Sequence, residues 1–369
     1  MHVLVTADTV GGVWTYTKEL VTGLVHRGTR VTLVSFGDIP TSTQTEWLEA
    51  LPAVDFRPTA FRLEWMQEAE QDINASRDFL LSVINETKPD VVHLNQYCYG
   101  CLPATVPKIV VAHSDVLSWW KSVKNEVPGD VAWLRWYREA VSAGLHGATA
   151  VVAPSRWMMG EIESLYGRPA QASVIYNGRA ASLFNPYISK DDYVLSVGRL
   201  WDSGKQVSLL TQIDSPSPVF VLGAEQHADQ SLRDEHGTFA RNPKLQLKGI
   251  QTEAQLRHWY SRASTYIATS RYEPFGLAPL EAALSRCAIL ANDIPSFREI
   301  WGDAACYFDT NDPSSLQQQL LRLLGDRDLR LSYANLALNR ARQHYTSEKM
   351  VTEYMSLYHS LVSAGAIAA

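Results

Sequence analysis

Glu273 and Glu281 stand eight residues apart in Arg271-Tyr-Glu-Pro-Phe-Gly-Leu-Ala-Pro-Leu-Glu281, with Gly276 and Pro279 between them. Residues 264–270 ahead of this stretch read as a short buried strand, and 280–284 behind it as helix. Gly276 lets the backbone approach a ligand closely, and Pro279 suits a first helical turn, where its missing N–H removes no bond. A helix opening near Gly276 would aim free amides and the positive end of its dipole at an anion. One acid would then sit in the loop before the anion site and the other about a turn inside the helix. Two carboxylates flanking an anion hole suit a ligand that carries both hydroxyls and phosphate, as a nucleotide sugar does.

Other residues of the right type cluster at expected strand ends. Gly198-Arg199-Leu-Trp-Asp-Ser-Gly-Lys205 supplies two cations able to neutralise a diphosphate, and such cations are also the groups that a departing diphosphate needs. Cations on a loop are also commonly just solvated. Asp8-Thr-Val-Gly-Gly-Val13 places Gly11 and Gly12 between a strand and a helix, either as a phosphate or sugar approach or as a plain tight turn. It lacks the GxGxxG spacing of a dinucleotide fingerprint. His113 follows the run Lys108-Ile-Val-Val-Ala112 and is placed to donate to a substrate hydroxyl or carbonyl, whereas His93 lies within a strand and reads as a satisfied structural histidine. Asn95 is in reach of a sugar hydroxyl. Asp115 reads equally as a helix N-cap or an acceptor contact. Trp119 and Trp120 are candidate sugar-stacking surfaces, while Trp133, Trp136 and Tyr137 recur at helical spacing and read as core.

The elements that must hold these residues alternate along the chain. Short apolar runs at 3–7, 30–35, 91–94, 109–112 and 150–153 read as buried parallel strands, with helical stretches at 13–26 and 131–146. The pattern restarts at 193–197, 219–222, 245–247, 266–268 and 288–291. Residues 173–192, with Asn177-Gly178 and Asn185-Pro186, look like the join, and the tail from Asp326 is helical. The alternation predicts an α/β protein of two doubly wound, Rossmann-like domains facing across a cleft.

Composition narrows the classes further. The 369 residues allow two domains with full cores; 46% are apolar and 20% charged, as in a globular protein. A net charge of −6 argues against a nucleic-acid partner. No run of eighteen apolar residues suggests a transmembrane segment, and the short basic-aromatic stretch around Trp119 to Arg138 gives only weak support to peripheral membrane contact. The N-terminus reads as a first strand rather than a signal peptide, so a cytoplasmic location is expected. The four cysteines include Cys98-Tyr-Gly-Cys101 with no second pair to complete a zinc site, and buried free thiols are expected.

Taken in order, Gly11-Gly12, His113, Pro154-Ser155, Val174-Ile-Tyr-Asn-Gly178, Gly198-Arg-Leu200 with Lys205, and Glu273-x7-Glu281 resemble the family 4 glycosyltransferases, retaining enzymes of the GT-B fold, over nearly the whole chain. The resemblance implies an N-terminal acceptor-side domain over 1–178, a donor domain over 179–345 and a C-terminal helix, 346–369, packing back on the first domain. It implies that Arg199 and Lys205 hold the diphosphate of a nucleoside-diphosphate sugar, that Glu281 takes the ribose hydroxyls, and that Glu273 takes a hydroxyl of the donor sugar. By the same resemblance, backbone at Phe275, Gly276 and Leu277 meets sugar and phosphate, Gly11 and Gly12 admit the diphosphate, and His113 lies near the reacting carbon. The catalytic set is then His113, Arg199, Lys205 and Glu273, and Asn95, Asp115 and Trp119 are acceptor-side candidates. The acceptor would be a carbohydrate or another hydroxyl compound. Such enzymes usually need no metal or other cofactor, and no Asp-x-Asp occurs among the candidate residues. The spacing from Arg199 to Lys205 is six where five is commoner in the family, with Gly204 placed to absorb the extra residue. A nucleotide-sugar epimerase or hydrolase, and a non-catalytic nucleotide-sugar binding protein, are the alternatives on the same fold. A nicotinamide oxidoreductase would need the missing GxGxxG.

Overall fold

The structure, a computed structural model, describes residues 1–126, 128–225 and 245–368, with side chains as far as 364. The chain divides into two compact units. The first comprises Met1–Trp120, Glu126–Gly178 and Ser347–Ala369; the second comprises Arg179–Thr346 together with Lys121–Asn125.

The first unit is built on a parallel sheet of β1 (His2–Asp8), β2 (Arg30–Phe36), β3 (Asp55–Pro58), β4 (Val91–Leu94), β5 (Lys108–Val111), β6 (Ala150–Ala153) and β7 (Ala172–Val174), ordered β3-β2-β1-β4-β5-β6-β7. The central strands are apolar on both faces because helices cover both sides of the sheet. The sequence reading missed β3 and β7. Both are edge strands, three or four residues long and partly exposed, so neither carries a continuous apolar run. The helix Ser347–Ala368 belongs to this unit, and its Met350, Val351, Tyr354, Tyr358 and Leu361 pack with Leu20, Val21 and Leu24 of the helix Gly12–His26.

The second unit repeats the plan with β8 (Asp191–Val197), β9 (Val219–Leu222), β10 (Leu245–Leu247), β11 (Ala263–Ala268), β12 (Ala288–Asn292) and β13 (Cys306–Phe308), ordered β10-β9-β8-β11-β12-β13 and parallel throughout. β13, again a three-residue edge strand, was also missed. The predicted helical tail is two helices, Arg327–His344 and Ser347–Ala368, interrupted where Arg179 and Thr346 form an isolated parallel bridge.

Each sheet therefore reverses its winding once, between β1 and β4 in the first unit and between β8 and β11 in the second. In doubly wound sheets, ligands bind beyond the carboxyl ends of the strands at that reversal. The far end of the second unit is locked by Lys190, whose Nζ donates to the carbonyls of Tyr260 (3.2 Å), Ser261 (2.9 Å) and Ser285 (2.6 Å), at the C-terminal ends of the helices Glu253–Arg262 and Leu277–Leu284.

Candidate functional site

The chemistry-bearing loops of the second unit leave the two strands that flank its reversal point. After β8, Gly198 and Arg199 turn into a compact loop organised by Asp202. Its Oδ2 takes a bond from Arg199 Nη2 at 2.7 Å, its Oδ1 takes the backbone N–H of Gly204 at 2.9 Å, and its carbonyl accepts from Lys205 N at 2.9 Å. Burial works to raise the Asp202 carboxyl, but the charges of Arg199 and Lys205 and the bonds it accepts outweigh that and hold it below the usual aspartate range. The Arg199 guanidinium also lies 5.1 Å from the Trp201 ring centre. The six-residue spacing is thus taken up by an Asx-type turn at Asp202–Gly204.

The loop after β11 closes against this one. Thr269 Oγ1 donates to the Lys205 carbonyl at 2.6 Å, and Arg271 N donates to the Gly204 carbonyl at 2.8 Å. These bonds bring Lys205 Nζ to 2.5 Å from Glu273 Oε2, which also accepts from Ser270 Oγ at 3.0 Å. From the next strand, the fully buried Asn292 donates to the Thr269 and Ser270 carbonyls at 3.5 and 3.1 Å, holding the base of the loop.

Gly276 then opens the helix Leu277–Leu284 at φ 91°, with no side chain capping its amides. A Cβ built on Gly276 would lie 2.8 Å from Pro279 Cγ and 3.1 Å from Glu273 Cγ, so both backbone angle and space require glycine. Phe275 points inward, 2% exposed, with its ring 5.4 Å from that of Tyr345, which leaves only its backbone to meet a ligand. Leu277 is the first helical residue and is partly exposed. Glu281, one turn on, is 8% exposed and lies beside the buried Arg179: Arg179 Nε is 3.0 Å from Glu281 Oε1 and Nη2 is 2.9 Å from Glu253 Oε1. The first of these contacts is ionic rather than an aligned hydrogen bond. In this unit, then, Arg199, Lys205, Glu273, Gly276 and Leu277 occupy adjacent loops, and Glu281 lies on the helix behind them.

In the first unit, β1 ends in Asp8, whose Oδ1 accepts from Val10 N at 2.6 Å, and Gly11 takes φ 77° as the residue before the helix Gly12–His26. That helix has neither a capping side chain nor an acidic residue in its first turn, and both glycines are exposed. Its amides are open to an anion.

His113, past β5, has Nε2 2.8 Å from Asn95 Oδ1. Because Asn95 Nδ2 donates to the Thr6 carbonyl at 2.5 Å, its Oδ1 is the acceptor and the His113 proton sits on Nε2. Packing around the ring depresses its pKa to about 3 by desolvation, so it is neutral. A neutral ring that spends its N–H on Asn95 is left with Nδ1, an acceptor and not the donor expected from sequence, as its remaining polar atom. Asn95 is corrected in the same way. It is 8% exposed and committed to Thr6 and His113, so it orients the histidine and does not reach out to a hydroxyl.

Asp115, for which two readings were open, is an N-cap. Oδ2 accepts from Ser118 N at 2.7 Å, Oδ1 accepts from the hydroxyls of Tyr137 and Tyr166 at 3.0 and 2.6 Å, and the residue is 3% exposed. It is not placed to meet an acceptor. Trp119 is half-buried in the helix Val116–Lys124, edge-on to Trp120 at 6.1 Å. Trp133, Trp136 and Tyr137 pack on the core. His93 is buried between the hydroxyls of Tyr16 (3.2 Å) and Tyr358 (2.8 Å). The four cysteines are free thiols. Among the described residues no cluster of three or more His, Cys, Asp or Glu is arranged to hold a metal ion, and no helix is long and apolar enough to cross a membrane.

Asp202, Asn292 and Arg179 were missed. Asp202 carried a signal in its Asp-Ser-Gly turn. Asn292 and Arg179 carried none, because their partners lie far away in sequence.

Comparison with known proteins follows the same division. Residues 10–182 match the family described as Glycosyltransferase Family 4, and residues 184–340 match Glycosyl transferases group 1. The lipopolysaccharide core biosynthesis mannosyltransferase LpcC of Rhizobium leguminosarum is 30% identical over 109 residues, 29% of this chain and 31% of LpcC, so the match spans about a third of that relative. Sucrose-phosphate synthase from Thermosynechococcus elongatus has a similar structure, with a TM-score of 0.79 at 15% identity over 99% of this chain and 100% of that one. Anabaena HepE in complex with UDP-glucose gives 0.73 at 15% identity over 98% and 100%. At such identities the likeness establishes the fold.

Proposed function

The chain belongs to the family 4 glycosyltransferases, and from that premise we propose that it is a retaining hexosyltransferase that moves a hexose from a nucleoside-diphosphate sugar to an acceptor hydroxyl on a sugar, a lipid-linked compound or a small molecule. The observation that carries this reading is the Lys205–Glu273 pair beside the open end of the helix Leu277–Leu284. The pair sets a cation of the kind that suits a diphosphate against an acid of the kind that suits a sugar hydroxyl, and the helix that follows Glu273 opens without a side-chain cap.

In the reaction, the bond between the anomeric carbon and the diphosphate oxygen breaks, and its electron pair leaves with the diphosphate. The acceptor oxygen bonds to the same carbon from the same face, and its proton passes to a diphosphate oxygen. Arg199, Lys205 and the helix amides stabilise the charge growing on the leaving group. One such donor is typically worth about 3–4 kcal/mol in the transition state. Glu273 orients the sugar through a hydroxyl, and Glu281 accepts from the ribose. Neutral His113 accepts a hydrogen from the donor sugar through Nδ1. With the cations carrying the leaving-group charge, turnover persists in EDTA.

LpcC is named a mannosyltransferase and the HepE structure holds UDP-glucose, so GDP-mannose and UDP-glucose head a panel of UDP-, GDP- and ADP-sugars assayed by thermal shift and by slow hydrolysis. One diphosphate sugar should stabilise the protein and release a sugar that keeps its anomeric configuration. Release with inversion would overturn the retaining mechanism. Isomerised sugar made without any acceptor would favour an epimerase, and stabilisation without turnover on any sugar or acceptor would leave a binding protein.

A further inference from the structure

Arg179 is a full charge placed where almost no solvent reaches: its side chain is 1% exposed. It follows Asn177-Gly178 directly and is pinned from several sides. Its backbone N–H donates to the Tyr345 carbonyl at 3.1 Å, its guanidinium lies 5.6 Å from the Phe184 ring centre, and its nitrogens meet Glu253 at 2.9 Å and Glu281 at 3.0 Å. Burying a cation is unfavourable unless carboxylates compensate it. The two that do so here differ in place. Glu253 is the first residue of the helix Glu253–Arg262, directly after the loop 248–252 that leaves β10, and Glu281 is the acid inside the helix opened by Gly276.

We propose that Arg179 is a positioning residue for ribose recognition: by bridging Glu253 and Glu281 it holds the Glu281 carboxylate in the orientation and charge that accept ribose hydroxyls, and it ties that acid to the 248–252 loop. This rests on Glu281 being the ribose acid. The planar guanidinium gives direction as well as charge, which a flexible ammonium does not. An ionised carboxylate offers about four lone-pair sites, so pairing with Arg179 is compatible with accepting hydroxyls.

The test measures dissociation constants for the nucleoside 5′-diphosphate that most stabilises the protein among UDP, GDP and ADP, and for its 2′,3′-dideoxy counterpart, with melting temperatures recorded alongside. The wild type should prefer the ribonucleotide by about tenfold or more, the scale of a hydrogen bond to a charged group. In Arg179→Gln the preference should fall to about twofold or less while inorganic pyrophosphate binds as before, a pattern that general loosening of the unit would not give. A folded Arg179→Gln that keeps the full preference overturns the inference. If that variant fails to fold, Arg179→Lys takes its place: a preference reduced several-fold supports the proposal and an unchanged one overturns it. Glu281→Gln separates the two layers. Loss of preference there with retention in the Arg179 variant sinks only the positioning role, whereas retention in Glu281→Gln sinks the ribose assignment itself.

Discussion

Lys205 and Glu273, from loops that follow different strands, meet at 2.5 Å between Nζ and Oε2, with Ser270 Oγ on the same carboxylate oxygen. The contact is half-buried, with side chains 21% and 14% exposed, and backbone bonds from Thr269 and Arg271 hold the two loops together. Without donor, each group neutralises the other. On the proposed donor roles, binding shares the ammonium with the diphosphate and the carboxylate with a sugar hydroxyl. Lys205→Ala should therefore lower kcat about a hundredfold to a thousandfold. Adding Glu273→Gln should cost less than it does alone, because residues that act as a unit are not additive. Steady-state kinetics of the four-member cycle checks this, and strictly additive losses would show that the two do not act together.

Gly276→Ala should fold but lose activity. At φ 91° an added Cβ strains the backbone by about 1–2 kcal/mol, and it presses on Glu273 Cγ at 3.1 Å. A drop in kcat/KM of at least about tenfold is expected, alongside a small fall in Tm, since the strain falls on the group proposed to orient the donor. Wild-type kcat/KM in the variant would show that the close approach has no functional consequence.

Asp202 sets a pH signature. Its carboxyl titrates below the ordinary aspartate range, so the folded state holds the proton less tightly than the unfolded chain does. The stabilisation is present above the unfolded value, near 3.9, and is lost as pH falls through the folded one. Because Arg199 is 41% exposed, solvent screens the pair, and Asp202→Asn should destabilise by only about 1–2 kcal/mol at pH 7. The gap to wild type should close as the solution is acidified below about pH 4. Urea titrations at pH 7, 5 and 3.5 report it; a gap that stays constant with pH would contradict the assignment.

His93 works with the same sign as Asp202 but in a higher pH window. Burial holds its ring neutral with a pKa of about 3, and the charge of neighbouring His113 would add to the depression. The unfolded chain binds a proton near pH 6.5 that the folded chain refuses, so stability falls as pH drops below 6.5 and continues to fall toward the folded value. The slope for one ring approaches about 1.4 kcal/mol per pH unit. His93→Gln removes that component, so its stability between pH 6 and 4.5 should depend less steeply on pH than that of the wild type. Equal slopes would mean that the ring is not the source.

The doubly wound plan was readable from order along the chain because parallel strands covered on both faces must be apolar throughout. β4, β6 and β9 therefore stood out at their true bounds. β3 and β7 did not, since these partly exposed edge strands need no such run, and β13, though buried, is only three residues long. The glutamate pair, Arg199, Lys205 and Gly276 were legible because loop chemistry at a strand end is local: residue type, spacing and a glycine suffice to mark it. Partnership was not legible. That Lys205 reaches Glu273, that Asn95 and Asp115 face inward, that His113 spends its N–H on Asn95, and that Arg179 lies against Glu281 all depend on which segments the two sheets bring side by side. Those contacts run from 18 residues of sequence, between Asn95 and His113, to 102, between Arg179 and Glu281. Composition and periodicity carry no record of such pairings, because they arise only when the strand order is set and the loops at the sheet ends close on one another.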